Sequence, residues 1–160
     1  MIIENLKFLS PYFVLLTGII GLYNFKKLPN VKEKLILTTI WFSFFIDTIG
    51  TNYYRFFKGD NYWLYNIYFL VIFIVYFYIY ILAIENKSFK KIILIFIGVF
   101  AIFFSIDGSY LSDFKQVQLF NSYALGVLLI CISAFFYLFE LFNSKEIINY
   151  SRSLIFFFTI

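Results

Sequence analysis

The stretch YWLYNIYFLVIFIVYFYIYILAI, which runs from Tyr62 to Ile84, contains no charged residue, no glycine and no proline. A helix of this length rises roughly 34 Å at about 1.5 Å per residue, which is enough to cross a bilayer core of about 30 Å. A soluble domain of 160 residues has no need of so long an uninterrupted apolar segment. The stretch therefore predicts a membrane-spanning helix, and the rest of the chain is arranged around it.

The composition of the whole chain is typical of a polytopic membrane protein. Hydrophobic residues make up 62% of the chain and its mean hydropathy is +0.87. Only 14% of the residues are charged, against about 25% in ordinary soluble domains. The net charge of +4 does not indicate nucleic-acid binding, because the basic residues lie in short segments between apolar runs, where they set orientation.

Four further apolar stretches and a shorter terminal run accompany the central segment. The fourth stretch is too short to cross if it ends at Ile106, so we expect it to continue through Asp107 and Gly108 to about Leu111. The terminal run rises only about 10 Å, and we expect the start of a truncated sixth span rather than a segment along the interface. We therefore predict an all-α integral membrane helical bundle, a single transmembrane domain over residues 1–160, with five spans at about 8–25, 35–54, 62–84, 92–111 and 119–142 and a partial sixth at 154–160.

The distribution of lysine and arginine predicts the orientation of these spans. The first, third and fifth inter-span segments hold nine of the 13 basic residues, and the N-terminal segment and the other two loops hold four. The positive-inside rule places the first set in the cytoplasm and the N-terminus outside. We expect a multi-pass protein of the cell (inner) membrane.

Several classes of chemistry have no support in the sequence. The chain has no histidine, which removes histidine-ligated haem, histidine metal sites and histidine general bases. It also lacks GxGxxG, Walker, GxSxG and HExxH motifs, and its only cysteine, Cys131, lies in an apolar run. Asp47 and Asp107 lack the GxGD context of intramembrane aspartyl proteases. We predict no catalytic residues, no cofactor and no metal site.

Polar residues within the spans are the candidates for a ligand site, since ionisable groups in a bilayer are costly. Asp47 lies roughly 10 Å below the outer edge of its span and shares a helix face with Ser43 and Thr51. The antiparallel third span brings Asn66 to a similar depth. We predict an outward-facing polar pocket, and its candidate ligand-binding residues are Asp47, Thr51, Asn52, Asn66, Asp107 and Asn121.

A structural interpretation of the same residues stays open. Polar side chains also join helices in membranes, and Asp107-Gly108 is a favourable turn pair that would place Asp107 in a loop. Glu85 and Glu140 are expected at the inner ends of their spans, within reach of lipid headgroups. On the third span, a stripe at 4-3 spacing is predicted to face protein and to serve packing: Tyr62, Asn66, Phe69, Phe73, Tyr76, Tyr80 and Ala83.

The series of spans with short loops, and segments such as NYWLYNIYFL at the start of the third helix, resemble two groups of proteins. One is the small uncharacterised multi-pass membrane proteins of AT-rich bacteria. The other is the seven-helix sensory membrane modules that precede some bacterial signalling domains. The resemblance covers most of the chain, implies a sensory role and carries no site residue over to this sequence.

We therefore expect a non-enzymatic sensory or ligand-binding membrane module. The alternative is a small transporter or channel subunit that acts as an oligomer, because five helices make a thin pathway. The expected partners are the lipid bilayer and either further copies of the chain or another membrane protein, with no nucleic acid. The sequence does not indicate the ligand.

Overall fold

The computed structural model describes residues 15–28, 30–57 and 59–143, and in these ranges the chain forms helices and no strands. Helix α1 covers residues 15–23 and is followed by a short 3₁₀ turn at Phe25–Lys27. The longer helices are α2 (Val31–Phe57), α3 (Tyr62–Ala83), α4 (Lys87–Ile106), which runs on into a π-helical turn (Asp107–Leu111), and α5 (Phe120–Asn143).

Four of these helices are long and apolar enough to cross a membrane. The apolar segments are Val31–Tyr53, Tyr62–Ala83, Lys87–Leu111 and Phe120–Asn143, and they overlap four of the predicted spans. The first predicted span, 8–25, is described only from residue 15, and the partial sixth at 154–160 lies outside the described residues. The count of five spans plus a sixth, and the outside position of the N-terminus, therefore stay predictions.

The fourth helix continues past Ile106, as the sequence predicts, but by a wider turn. Ser112 N–H donates to Asp107 O over 2.8 Å, which is the i→i+5 bond of a π-helix. Asp107 is consequently part of the helix end and not of a loop. At the other end of α4, the Asn86 side chain accepts a hydrogen bond from Ser88 N at 2.9 Å, the usual N-cap arrangement.

Helix α3 is the centre of the bundle, because it packs against α2, α4 and α5, while α4 also packs against α5. The core between α3 and α4 is aromatic: the Phe100 ring lies 5.2 Å from that of Phe73 and 6.2 Å from that of Phe77. Of the predicted packing stripe on α3, Asn66, Phe73 and Tyr80 are buried, whereas Tyr62 is exposed.

Gly126 allows α5 to approach the Phe73 ring closely. A Cβ at Gly126 would lie 2.9 Å from two atoms of that ring and 3.0 Å from Cε2 of Phe100, and both rings are buried. We expect Gly126→Ala to lower the free energy of unfolding by about 1–3 kcal/mol, the usual cost of overpacking. A denaturing detergent titration measures it. Gly98→Ala on α4, where nothing lies within 4 Å, is the matched control, and equal losses in both variants would contradict this account.

The inter-helix links gather at two ends of the bundle. We call the end with the α2–α3 and α4–α5 links the Asn66 end, because Asn66 near the start of α3 binds the α4–α5 link. The opposite end, with the α1–α2 link and the α3–α4 link at residues 84–86, is the Glu140 end. At each end, a polar side chain of one helix binds the link between two helices: Asn66 of α3 binds the α4–α5 link, and Glu140 of α5 binds the α3–α4 link.

Candidate functional site

Asp107 is completely buried, and its carboxylate accepts hydrogen bonds from the first turn of α5. Its Oδ2 accepts from Ser122 N at 3.0 Å and from Ser122 Oγ at 2.7 Å. Its Oδ1 accepts from Ser112 Oγ at 3.2 Å and from Asn121 Nδ2 at 3.5 Å. A carboxylate at a helix N-terminus is stabilised both by the free N–H groups and by the helix dipole. The structure thus brings together Asp107 and Asn121 of the predicted set.

Asn66 is also completely buried, and it fixes the α4–α5 link to α3. Its Nδ2 donates to Phe114 O and to Val117 O, each at 2.9 Å, and its Oδ1 accepts from Leu119 N at 3.1 Å. These three bonds use both protons of the amide and satisfy backbone groups that a bilayer or an apolar core would otherwise leave unpaired.

Together, Asn66 and Asp107 replace the cap that α5 lacks. Leu119 occupies the cap position, since its carbonyl accepts the first intrahelical bond, from Tyr123 N, at 3.0 Å. A leucine side chain cannot accept a hydrogen bond from the first N–H groups. Asn66 from α3 and Asp107 from the end of α4 supply the acceptors instead. The hydrogen bonds of Asn66 and Asp107 join one helix to another. They fit the alternative interpretation of the sequence, in which the polar residues of the spans hold helices together.

The other three predicted site residues lie apart from this cluster, on α2. Asp47 and Thr51 are exposed, and Asn52 is half-buried with its Nδ2 bonded to Thr48 O of the same helix at 2.8 Å. None of the hydrogen bonds among the described residues connects these three to Asn66, Asp107 or Asn121. The six residues therefore do not form one hydrogen-bonded cluster.

Asp47 instead lies beside tyrosines of α3, and we call this group the acid–tyrosine seam: Ser43, Asp47, Tyr65 and Tyr68. Ser43, Asp47 and Gly50 share one face of α2, where Ser43 Oγ lies 2.8 Å from the Tyr68 hydroxyl. The Tyr65 hydroxyl rests on Gly50, where a Cβ would collide with it. Asp47 is six residues from Tyr53, about 9 Å along the helix, so a bilayer would surround it at that depth.

The hydroxyl of Tyr68 connects α3 to α2 in this seam. Ser43 Oγ lies 2.8 Å from the Tyr68 oxygen, and either hydroxyl can be the donor of this bond. Ser43 Oγ is also within hydrogen-bond distance, 2.9 Å, of Thr39 O in its own helix.

A groove between α3 and α5 starts at Tyr68, and we call it the lateral groove. Its volume is about 250 Å³, and Tyr76 and Tyr123 line it together with apolar side chains and Cys131. The groove shares Tyr123 and Cys131 with a shallower depression of about 680 Å³ along the outer face of α5. Tyr68 thus belongs both to the seam, through Ser43, and to the lining of the lateral groove.

A second cavity lies at the Asn66 end, with a volume of about 400 Å³. Its rings form an aromatic cluster in which Trp63 Nε1 donates to the Tyr53 hydroxyl at 3.2 Å. Paired Trp and Tyr rings at the end of a span are typical of the membrane interface. The cavity is lined by Tyr53, Asp60, Trp63, Phe114 and Lys115.

Glu140 has a role that the sequence analysis missed. Instead of reaching towards headgroups, its Oε1 accepts from Glu85 N at 2.7 Å and from Asn86 N at 3.3 Å. The carboxylate of α5 thereby holds the α3–α4 link at the Glu140 end. Ser112 and Ser122 were not among the predicted site residues. The one sequence signal for Ser122 is its position within the first turn of an apolar helix that has no cap of its own.

The described residues, 15–143 without 29 and 58, contain no group of three or more Cys, Asp or Glu side chains placed to hold a metal ion. No protein family matches the chain, and no match was found among curated proteins or solved structures.

Proposed function

We propose that this chain is a polytopic integral membrane protein that works as a non-enzymatic ligand-binding, sensory module, and that its ligand occupies the lateral groove. One observation carries the proposal: Tyr68, whose hydroxyl lies 2.8 Å from Ser43 Oγ, one helical turn from the exposed Asp47, lines a groove of about 250 Å³. An acid at membrane depth is costly and is retained for a purpose in most membrane proteins. A groove with apolar walls and a few convergent polar groups is the usual form of a small-molecule site.

The direction of entry follows from the same geometry. Asp47 and Cys131 are both exposed on the sides of the bundle rather than inside it. A ligand therefore reaches the groove from within the bilayer, at the level of the apolar chains. With the Asn66 end outside, as the distribution of lysine and arginine favours, Asp47 belongs to the outer half of the cell membrane.

Cys131 provides a direct test, because it is the only cysteine of the chain and lines the groove. The rate at which N-ethylmaleimide alkylates Cys131 would be measured with three probes of similar size: phenyltrimethylammonium, its neutral isostere tert-butylbenzene, and benzenesulfonate. We expect at least one of them to slow alkylation in a saturable manner, since a ligand in the groove covers the thiol.

The control is a chain with Cys131→Ser and Gly98→Cys, which moves the thiol to a position of α4 where nothing lies within 4 Å. No probe should slow alkylation there. The proposal fails if no probe protects Cys131, or if a probe protects both positions equally. Uptake of the protecting probe into proteoliposomes would assign the chain to the transporter class instead.

A further inference from the structure

We infer that the cavity at the Asn66 end binds the headgroup of a zwitterionic phospholipid, with the ammonium group near Asp60 and the phosphate near Lys115. We call this space the interfacial cavity. Its volume is about 400 Å³, a size typical of small-molecule sites, and it is lined by Tyr53, Asp60, Trp63, Phe114 and Lys115. It shares no lining residue with the lateral groove. The inference is therefore a second binding site, and it does not depend on the ligand of the groove.

The first argument is the pair of opposite charges in the lining of the cavity. Asp60 belongs to the α2–α3 link and Lys115 to the α4–α5 link, so two separate parts of the chain supply the charges. Both residues are exposed, and within the part of the chain that the structure describes neither forms an ion pair. A ligand with one charge would be attracted by one of these groups and repelled by the other. A ligand with an ammonium and a phosphate group can place each beside its opposite charge.

The second argument is that hydrogen bonds hold both links that form the cavity. Beside Asp60, Asn61 Nδ2 donates to Gly50 O at 2.8 Å, which ties the α2–α3 link to α2. On the other link, the Phe114 carbonyl accepts from Asn66 Nδ2 at 2.9 Å, which ties the α4–α5 link to α3. The fold thus sets the position of the two links before a ligand arrives. A site prepared in this way loses less entropy when it binds.

The third argument is the level of the cavity in the membrane. Trp63 Nε1 donates to the Tyr53 hydroxyl at 3.2 Å, and the centres of the two rings are 6.0 Å apart. Trp and Tyr at the ends of apolar helices lie at the level of the lipid headgroups, and the faces of their rings attract an ammonium group. Exposed apolar side chains continue from this end into the spans, with Ile67 on α3 and Phe120 at the start of α5. The acyl chains of a bound lipid would lie along such a surface.

The test compares lipids that have the same acyl chains and different headgroups. Binding of phosphatidylethanolamine, phosphatidylglycerol and diacylglycerol to the full chain in detergent would be measured by native mass spectrometry. We expect phosphatidylethanolamine to bind most tightly, because it alone of the three carries both charges. Asp60→Asn should weaken its binding at least about threefold without weakening that of phosphatidylglycerol, whereas Lys115→Gln should weaken the binding of both phospholipids.

The matched controls are Glu85→Gln and Lys87→Gln, which remove one acid and one lysine from exposed positions at the Glu140 end. Both variants should bind phosphatidylethanolamine as the unchanged chain does. Circular dichroism and the elution volume of each variant show that its fold is retained.

Three outcomes would overturn the inference. If phosphatidylglycerol or diacylglycerol binds as tightly as phosphatidylethanolamine, or if Asp60→Asn leaves the affinity for phosphatidylethanolamine unchanged, the zwitterionic class is wrong. If Glu85→Gln weakens binding as much as Asp60→Asn, the interfacial cavity is not the site. Phosphoethanolamine, the same headgroup without acyl chains, should bind more weakly than the lipid. If it binds equally well, the ligand is a soluble zwitterion and not a lipid.

Discussion

Asp107→Ala is expected to lower the free energy of unfolding by about 2–4 kcal/mol, because it leaves buried donors without an acceptor. Ser122 N and Ser122 Oγ both lose their partner, and Ser112 Oγ loses one as well. The first turn of α5 has no cap of its own to compensate. The loss should therefore exceed the cost of the missing side-chain volume alone.

A denaturing detergent titration of the purified protein measures this effect, with Asp113→Ala as the matched control. Asp113 also accepts a backbone hydrogen bond, from Lys115 N at 2.9 Å, but it is exposed. Its replacement should change the free energy of unfolding by less than about 1 kcal/mol. Similar losses for the two aspartates would show that the buried cluster is not what holds α5.

Asn66→Leu is expected to have an effect of similar size, about 2–4 kcal/mol, because leucine fills the space without replacing any of the three hydrogen bonds. Phe114 O, Val117 O and Leu119 N would then be unpaired. The α4–α5 link would be released from α3 while the helices themselves persist.

Hydrogen exchange of residues 112–119 measures this release, since the free energy of local opening sets the exchange rate. We expect faster exchange in this segment and little change in α3. Asn52→Leu is the control, because among the residues that the structure describes Asn52 bonds only to Thr48 O of its own helix. Unchanged protection of residues 112–119 in Asn66→Leu would contradict the role assigned to Asn66.

The sequence predicted the position and length of the helices better than the rotation of each helix about its own axis. An uncharged run such as Tyr62–Ala83 defines a span through length and hydropathy, and the four apolar helices overlap their predicted spans. The continuation of α4 to Leu111 was also predicted, because fifteen residues could not cross. A helix that is apolar on all sides, however, carries little information about which face meets which neighbour.

This difference between position along a helix and rotation about its axis explains why some of the predicted site residues lie together and others do not. Depth along the span was enough to predict that Asp107 and Asn121 lie together. It was not enough to separate Asp47 from them, because that depends on the rotation of α2 about its axis. The contacts of Ser43 with Tyr68 and of Gly50 with Tyr65, on either side of Asp47, join two helices, and no local pattern in either helix indicates them.

Glu140 illustrates a second limit. Its position near the end of an apolar helix favoured contact with headgroups, the usual behaviour of a charged residue there. The sequence does not reveal that the α3–α4 link, at residues 84–86, offers free N–H groups at the same level. The role of Glu140 as the acceptor for these N–H groups becomes predictable only when the packing of α5 against the link is known.

The surroundings of the two aspartates predict different roles: Asp107 is buried and stabilises the fold, whereas Asp47 is exposed and, under the proposed function, is available to a ligand. The most direct measurement is the unfolding midpoint of Asp107→Asn and Asp47→Asn in the same detergent titration. We expect a clearly lower midpoint for Asp107→Asn, whose new amide protons face donors. For Asp47→Asn we expect an unchanged or higher midpoint, because an exposed carboxylate at membrane depth is replaced by a neutral group of the same size. A lower midpoint for Asp47→Asn with no loss in Asp107→Asn would contradict the account.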